Sequence, residues 1–118
     1  MVFPESAMSE HPNPADMTLA VVAGVFDARP GAEAQLGAVL AKYVVMSRTS
    51  PGCRNIDLVA SLTQPGRFLV YEKWDSPEHQ RDHLTSAVTE ELATAAMPLL
   101  AGPPELGLFE AVSAHDLI

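Results

Sequence analysis

The chain has 118 residues, 15 acidic against 7 basic side chains, and one cysteine. That length suits a single domain that folds around one core without metal or disulfide staples, and Cys53 alone excludes an intrachain disulfide. A formal charge of −8 with no basic run excludes a phosphate-backbone partner such as nucleic acid.

No stretch approaches the roughly 20 apolar residues that span a bilayer, so no membrane partner is expected. The first residues lack the basic start and apolar core of a signal peptide, and a cytoplasmic location is expected. Residues 1–16 mix three prolines and three acids with small polar residues and read as a disordered leader. An ordered domain over 17–113 and a tail over 114–118 complete the expected layout.

The run from Thr18 to Asp27 is β-branched and apolar on both alternating sets, so it reads as a strand covered on both faces. Pro30-Gly31 breaks it. Leu36, Val39, Leu40, Tyr43 and Met46 then recur at helical spacing until Ser50-Pro51-Gly52. Cys53–Ser61 predicts a second strand, Thr63–Gly66 a turn, and Arg67–Trp74 a third strand hairpinned to the second. Ser76 with Pro77 and Glu78 predicts a capped helix that bends near Thr85-Ser86, and Val88, Leu92, Ala95 and Leu99 continue its apolar stripe. Gly102-Pro103-Pro104 ends it, and Glu105–Val112 predicts a fourth strand.

The order β-α-β-β-α-β predicts a ferredoxin-like α+β fold, a four-stranded antiparallel sheet with helices on one face. The other face would expose an apolar patch, which soluble proteins avoid. A second copy packed by a two-fold axis is the simplest cover, so a homodimer is expected.

Specific strings sharpen the reading. Ser50-Pro51-Gly52-Cys53, then Pro65, then the strand Phe68–Trp74 carrying Glu72 and Trp74, then Ser76-Pro77-Glu78 and Asp82-His83-Leu84, resemble the antibiotic-biosynthesis-monooxygenase family in order and spacing. The resemblance covers residues 18 to 112. It implies a dimeric α+β barrel with one pocket per subunit, oxidising small quinol- or anthrone-like aromatics with O₂ and no cofactor. Relatives often carry a second histidine after the first, where this chain reads Thr85-Ser86-Ala87-Val88. A haem-degrading branch carries an Asn on its first strand, and no Asn lies between Thr18 and Ala28, so haem cleavage is not expected.

The resemblance implies a pocket-mouth role for His83, whose ordinary pKa near 6.5 suits proton abstraction; a local hydrogen bond is the plain alternative. Glu72 lies on an otherwise apolar strand face and must be paired, neutral or beside water. A pair with Arg54, Arg67 or a helix residue, and a role as second catalytic base, both stay open. Trp74 reads as either core or a wall against an aromatic substrate. Tyr43 and Met46 read as core that could line a pocket, and Asn55 with Asp57 as either a polar handle for a substrate hydroxyl or simply edge residues at the dimer. His79 and His83, four apart beside Glu78 and Asp82, are the one pairing that could share a metal, but without further ligands they read as a solvated face. The functional expectation is thus a cofactor-independent monooxygenase of a small phenolic compound. The alternative is a non-catalytic dimeric ligand-binding module of the same fold.

Overall fold

The structure, a computed structural model, describes residues 18–113. The expected leader and the tail over 114–118 lie outside the described residues. Strand β1 (Ala20–Asp27) leads to helix α1 (Glu33–Ser47), then strands β2 (Cys53–Ala60) and β3 (Arg67–Trp74). Helices α2 (Pro77–Leu84) and α3 (Ala87–Ala96), a short 3₁₀ turn (Met97–Leu99) and strand β4 (Glu105–Glu110) complete the chain. The sheet runs β2-β3-β1-β4, with every neighbouring pair antiparallel. This is the ferredoxin-like α+β arrangement that the element order predicted.

Two boundaries differ from the sequence reading in an informative way. The expected bend at Thr85-Ser86 is a full break into two helices. Ser86 adopts an extended backbone and caps α3 by accepting a hydrogen bond from the Thr89 amide. Strand β4 stops at Glu110, two residues earlier than expected.

The core lies between the sheet and the helices. It joins Phe26 of β1, Leu36, Leu40, Tyr43 and Val44 of α1, Ile56 of β2 and Val70 of β3, closed by Ala96 of α3. The buried stripe of α1 runs Leu36, Leu40, Tyr43, Val44 and Ser47, a helical progression that drifts past Met46 and leaves it half exposed. The opposite sheet face carries Val21, Ala23, Val25, Leu69 and Tyr71 by alternation, flanked by Val59 and Phe109, which are 51% and 56% exposed.

The turn into β2 is fixed by Gly52. Its φ of +81° suits glycine, and a Cβ there would collide with His79 Nδ1 and lie 2.6 Å from Asp75 Oδ1. Its carbonyl also accepts from the Asp75 amide at 2.8 Å, tying the start of β2 to the end of β3. Gly31 has a φ of +89° but open space around it. Gly31→Ala is therefore expected to cost about 1 kcal/mol, and Gly52→Ala about 2–3 kcal/mol or more, in urea unfolding. Equal costs would show that the crowding at Gly52 relaxes freely.

Candidate active-site cavity

A cavity of about 510 Å³ opens between the helix-facing side of the sheet and α2, α3 and the loop before β4. Its walls are apolar for most of their extent, including Val22, Phe26, Val70, Leu92, Met97 and Leu106. At one end stand Tyr43, Glu72, Gln80, His83 and Thr89. Among the described residues no Lys or Arg lines it. A site with this division holds an apolar body and reads one polar end.

The polar end is a hydrogen-bonded cluster built from three elements. Period-two alternation on β3 puts Val70, Glu72 and Trp74 on the helix side. The Tyr43 hydroxyl donates to Glu72 Oε2 at 2.7 Å, and the Trp74 indole N–H donates to Oε1 at 3.0 Å. Each carboxylate oxygen thus has its own donor, which is what allows the carboxyl to be buried. Arg67, offered by the sequence as a partner for Glu72, instead grips Asp27 through two hydrogen bonds of 2.7 and 3.0 Å on the surface.

His83 Nε2 lies 2.9 Å from the Tyr43 hydroxyl and 3.2 Å from Ser47 Oγ. Its ring packs on Trp74 with centroids 4.5 Å apart. Its Nδ1 is buried and makes no hydrogen bond among the described residues. The break between α2 and α3 holds the His83 backbone: its carbonyl accepts from Ser86 Oγ at 2.7 Å and from Thr89 Oγ1 at 2.6 Å. Burial pushes the Tyr43 phenol well above its ordinary range, reinforced by the Glu72 charge. It stays protonated at any working pH.

The sequence candidates separate accordingly. Tyr43, Glu72 and His83 meet at the cavity. Trp74 is fully buried and stands behind His83 and Glu72 rather than on the cavity wall. Asn55 is exposed on the opposite sheet face, in register with Lys73, and cannot reach the cavity as a polar handle. Met46 is absent from the cavity lining and borders a smaller recess of about 170 Å³ between α1 and α3, because the buried stripe of α1 passes beside it. Ser47, Gln80 and Thr89 belong to the polar end without having been singled out. The signal for Ser47 was its place four residues after Tyr43; for Thr89 it was the Ser86-x-x-Thr89 cap.

The two histidines of α2 are engaged differently. His79 Nδ1 pairs with Asp75 Oδ1 at 2.6 Å at the surface, and that hydrogen bond raises its pKa above the ordinary 6.5. Burial depresses that of His83 below the same value, only partly opposed by the Glu72 charge. No group of three or more His, Cys, Asp or Glu residues among the described residues could hold a metal ion. NMR titration is expected to give His79 a midpoint above 6.5 and His83 one below it. By linkage, the stability from His79 is present below 6.5 and fades as pH rises through its raised pKa. That from neutral His83 is full above 6.5 and fades as pH falls toward its depressed pKa. Coincident midpoints would refute the assignment.

Among the described residues no helix is long and apolar enough to cross a membrane. A Nitrosomonas europaea protein provisionally named an antibiotic biosynthesis monooxygenase superposes with a TM-score of 0.79 at 15% identity, over 85% of this chain and 96% of its own. Rv0793 of Mycobacterium tuberculosis gives 0.77 at 23% identity, over 83% and 99%. An uncharacterised Synechocystis protein, sll1783, is 24% identical over 116 residues, 98% of this chain and 78% of its own length. These likenesses support the fold. The sequence pattern of the family described as antibiotic biosynthesis monooxygenase matches residues 19–95, and with β1, the hairpin, Trp74 and His83 all inside that span, the chain belongs to the antibiotic biosynthesis monooxygenase family.

Proposed function

We propose that this protein is a cofactor-independent monooxygenase that oxidises a small phenolic or quinol-like aromatic with O₂ inside the cavity between sheet and helices. The observation that carries the reading is a mostly apolar cavity of about 510 Å³ with a neutral histidine in its polar wall. Such a space suits a guest of a few fused rings, and among the described residues its lining offers no Lys or Arg to receive a phosphate or carboxylate.

The chemistry asks little of the protein. His83 takes a proton from the guest hydroxyl, and the electron-rich anion gives one electron to O₂. The radical and superoxide recombine at carbon to form a C–O bond. Where that carbon began as a methylene, loss of water leaves a carbonyl, so CH₂ and O₂ become C=O and H₂O. Apolar walls exclude bulk water from the radical pair. Glu72, already holding Tyr43 and Trp74, acts as an orienting charge rather than as the base. A second copy of the chain covers the opposite sheet face, where Val59 and Phe109 are exposed. Sedimentation at micromolar concentration is expected to show a dimer.

Oxygen uptake with a panel of quinols and anthrones tests the reading: turnover without added metal or flavin is expected. A second reading, a non-catalytic binder of similar small aromatics, is favoured by the internal pairing of Glu72 and Tyr43. It predicts saturable binding of the panel with no oxygen consumed.

A further inference from the structure

We propose that Tyr43 is a positioning residue that fixes His83 as the Nε2–H tautomer and couples its ring to the Glu72 carboxylate, so that the ring takes up its second proton at Nδ1. This deepens, and rests on, the reading of the cavity as a reaction site.

The assignment follows from counting protons. A phenol has one O–H to give, and the Tyr43 hydroxyl lies 2.7 Å from a carboxylate oxygen, the strongest acceptor in reach. With that proton committed to Glu72, the Tyr43 oxygen can only accept from its remaining neighbours, among them His83 Nε2 at 2.9 Å. A bare Nε2 would set two lone pairs against each other at that distance, so Nε2 carries the hydrogen. Ser47 Oγ, at 3.2 Å, can accept from the same N–H. Neutral imidazole has one N–H, so Nδ1, which makes no hydrogen bond among the described residues, is bare.

The chain Glu72–Tyr43–His83 then works in one direction. When Nδ1 receives a proton, the positive charge of the ring stands one phenol away from the Glu72 charge and is stabilised through Tyr43. A carboxylate that orients an imidazole and steadies its charged form is a known means of preparing a base; here a tyrosine is interposed. With the His83 carbonyl held by Ser86 and Thr89, the ring is the part of the residue that Tyr43 governs.

The test is a long-range ¹H–¹⁵N spectrum of the uniformly labelled full chain, with His83 assigned by its loss in His83→Ala. Wild type is expected to show a bare Nδ1 and a protonated Nε2 above the titration midpoint. Tyr43→Phe is expected to shift the tautomer balance toward Nδ1–H and to lower the His83 midpoint. A wild-type Nδ1–H tautomer, or an unchanged balance in a folded Tyr43→Phe, overturns the proposal. If Tyr43→Phe fails to fold, Glu72→Gln serves instead: a lowered His83 midpoint supports the coupling and an unmoved one overturns it. Absence of oxygen uptake alongside the expected tautomer pattern would remove the oxygenase reading and leave Tyr43 in its role, so the two failures are distinguishable.

Discussion

Trp74→Ala is expected to lower the unfolding free energy by about 3–5 kcal/mol, a large share of the roughly 5–15 kcal/mol that holds a domain folded. The indole is fully buried, so its removal opens a cavity that the neighbouring strands cannot collapse into. It also strips Glu72 Oε1 of its donor and leaves a buried carboxylate oxygen unpaired. Trp74→Phe separates the two effects, because it keeps most of the volume and removes only the N–H. Its expected cost is about 1–3 kcal/mol, the penalty for one orphaned buried acceptor beside a charge. Urea unfolding measures both. As the single tryptophan, Trp74 also reports its own position: its fluorescence should resist acrylamide in the folded state. Ready quenching, with a Trp74→Ala cost below about 1 kcal/mol, would return it to the exposed wall against which a substrate stacks.

That displacement of Trp74 marks where sequence reasoning reaches its limit here. Strand alternation correctly placed Val70, Glu72 and Trp74 on one face, because period two is a property of the backbone. It could not say how far along that face the cavity extends, which depends on where α2 and α3 cross the sheet. The same holds on α1. The spacing of Leu36, Leu40 and Tyr43 identified the buried side, but the side turns as the helix advances, taking in Ser47 and leaving Met46 half exposed. For Asn55, strand parity leaves both a polar handle and an edge position at the dimer open, because parity does not tell which of two faces the helices cover. The Pro-Gly-Cys turn and the Glu72-x-Trp74 strand were legible because each imposes a local geometry: a positive φ at Gly52, and two side chains on one face. The partners of Glu72 were not legible. A buried carboxylate announces that it must be satisfied without naming its donors, and here they come from its own strand and from a helix 29 residues earlier.

If the cavity is the site of oxygenation, His83→Ala is expected to reduce kcat by 10²- to 10⁴-fold, the usual worth of a positioned general base. KM should change little, because the apolar walls that hold the ring of the guest remain. Removing the imidazole also deprives Tyr43 of a neighbour, and a structural loss could imitate a chemical one. Two controls separate them. Added imidazole can enter the vacated space and restore part of the rate, which a misfolded site would not permit. His79→Ala, four residues away at the surface and paired with Asp75, removes a histidine of the same helix outside the cavity and should leave turnover intact. The pH profile adds an independent check. With His83 depressed below 6.5 by burial, it is already unprotonated at neutral pH, so kcat/KM should fall only on the acid side of that value. In His83→Ala that limb should vanish. A variant that retains the wild-type rate and acid limb would take the proton from the guest by some other group, and the assignment of His83 as base would fail.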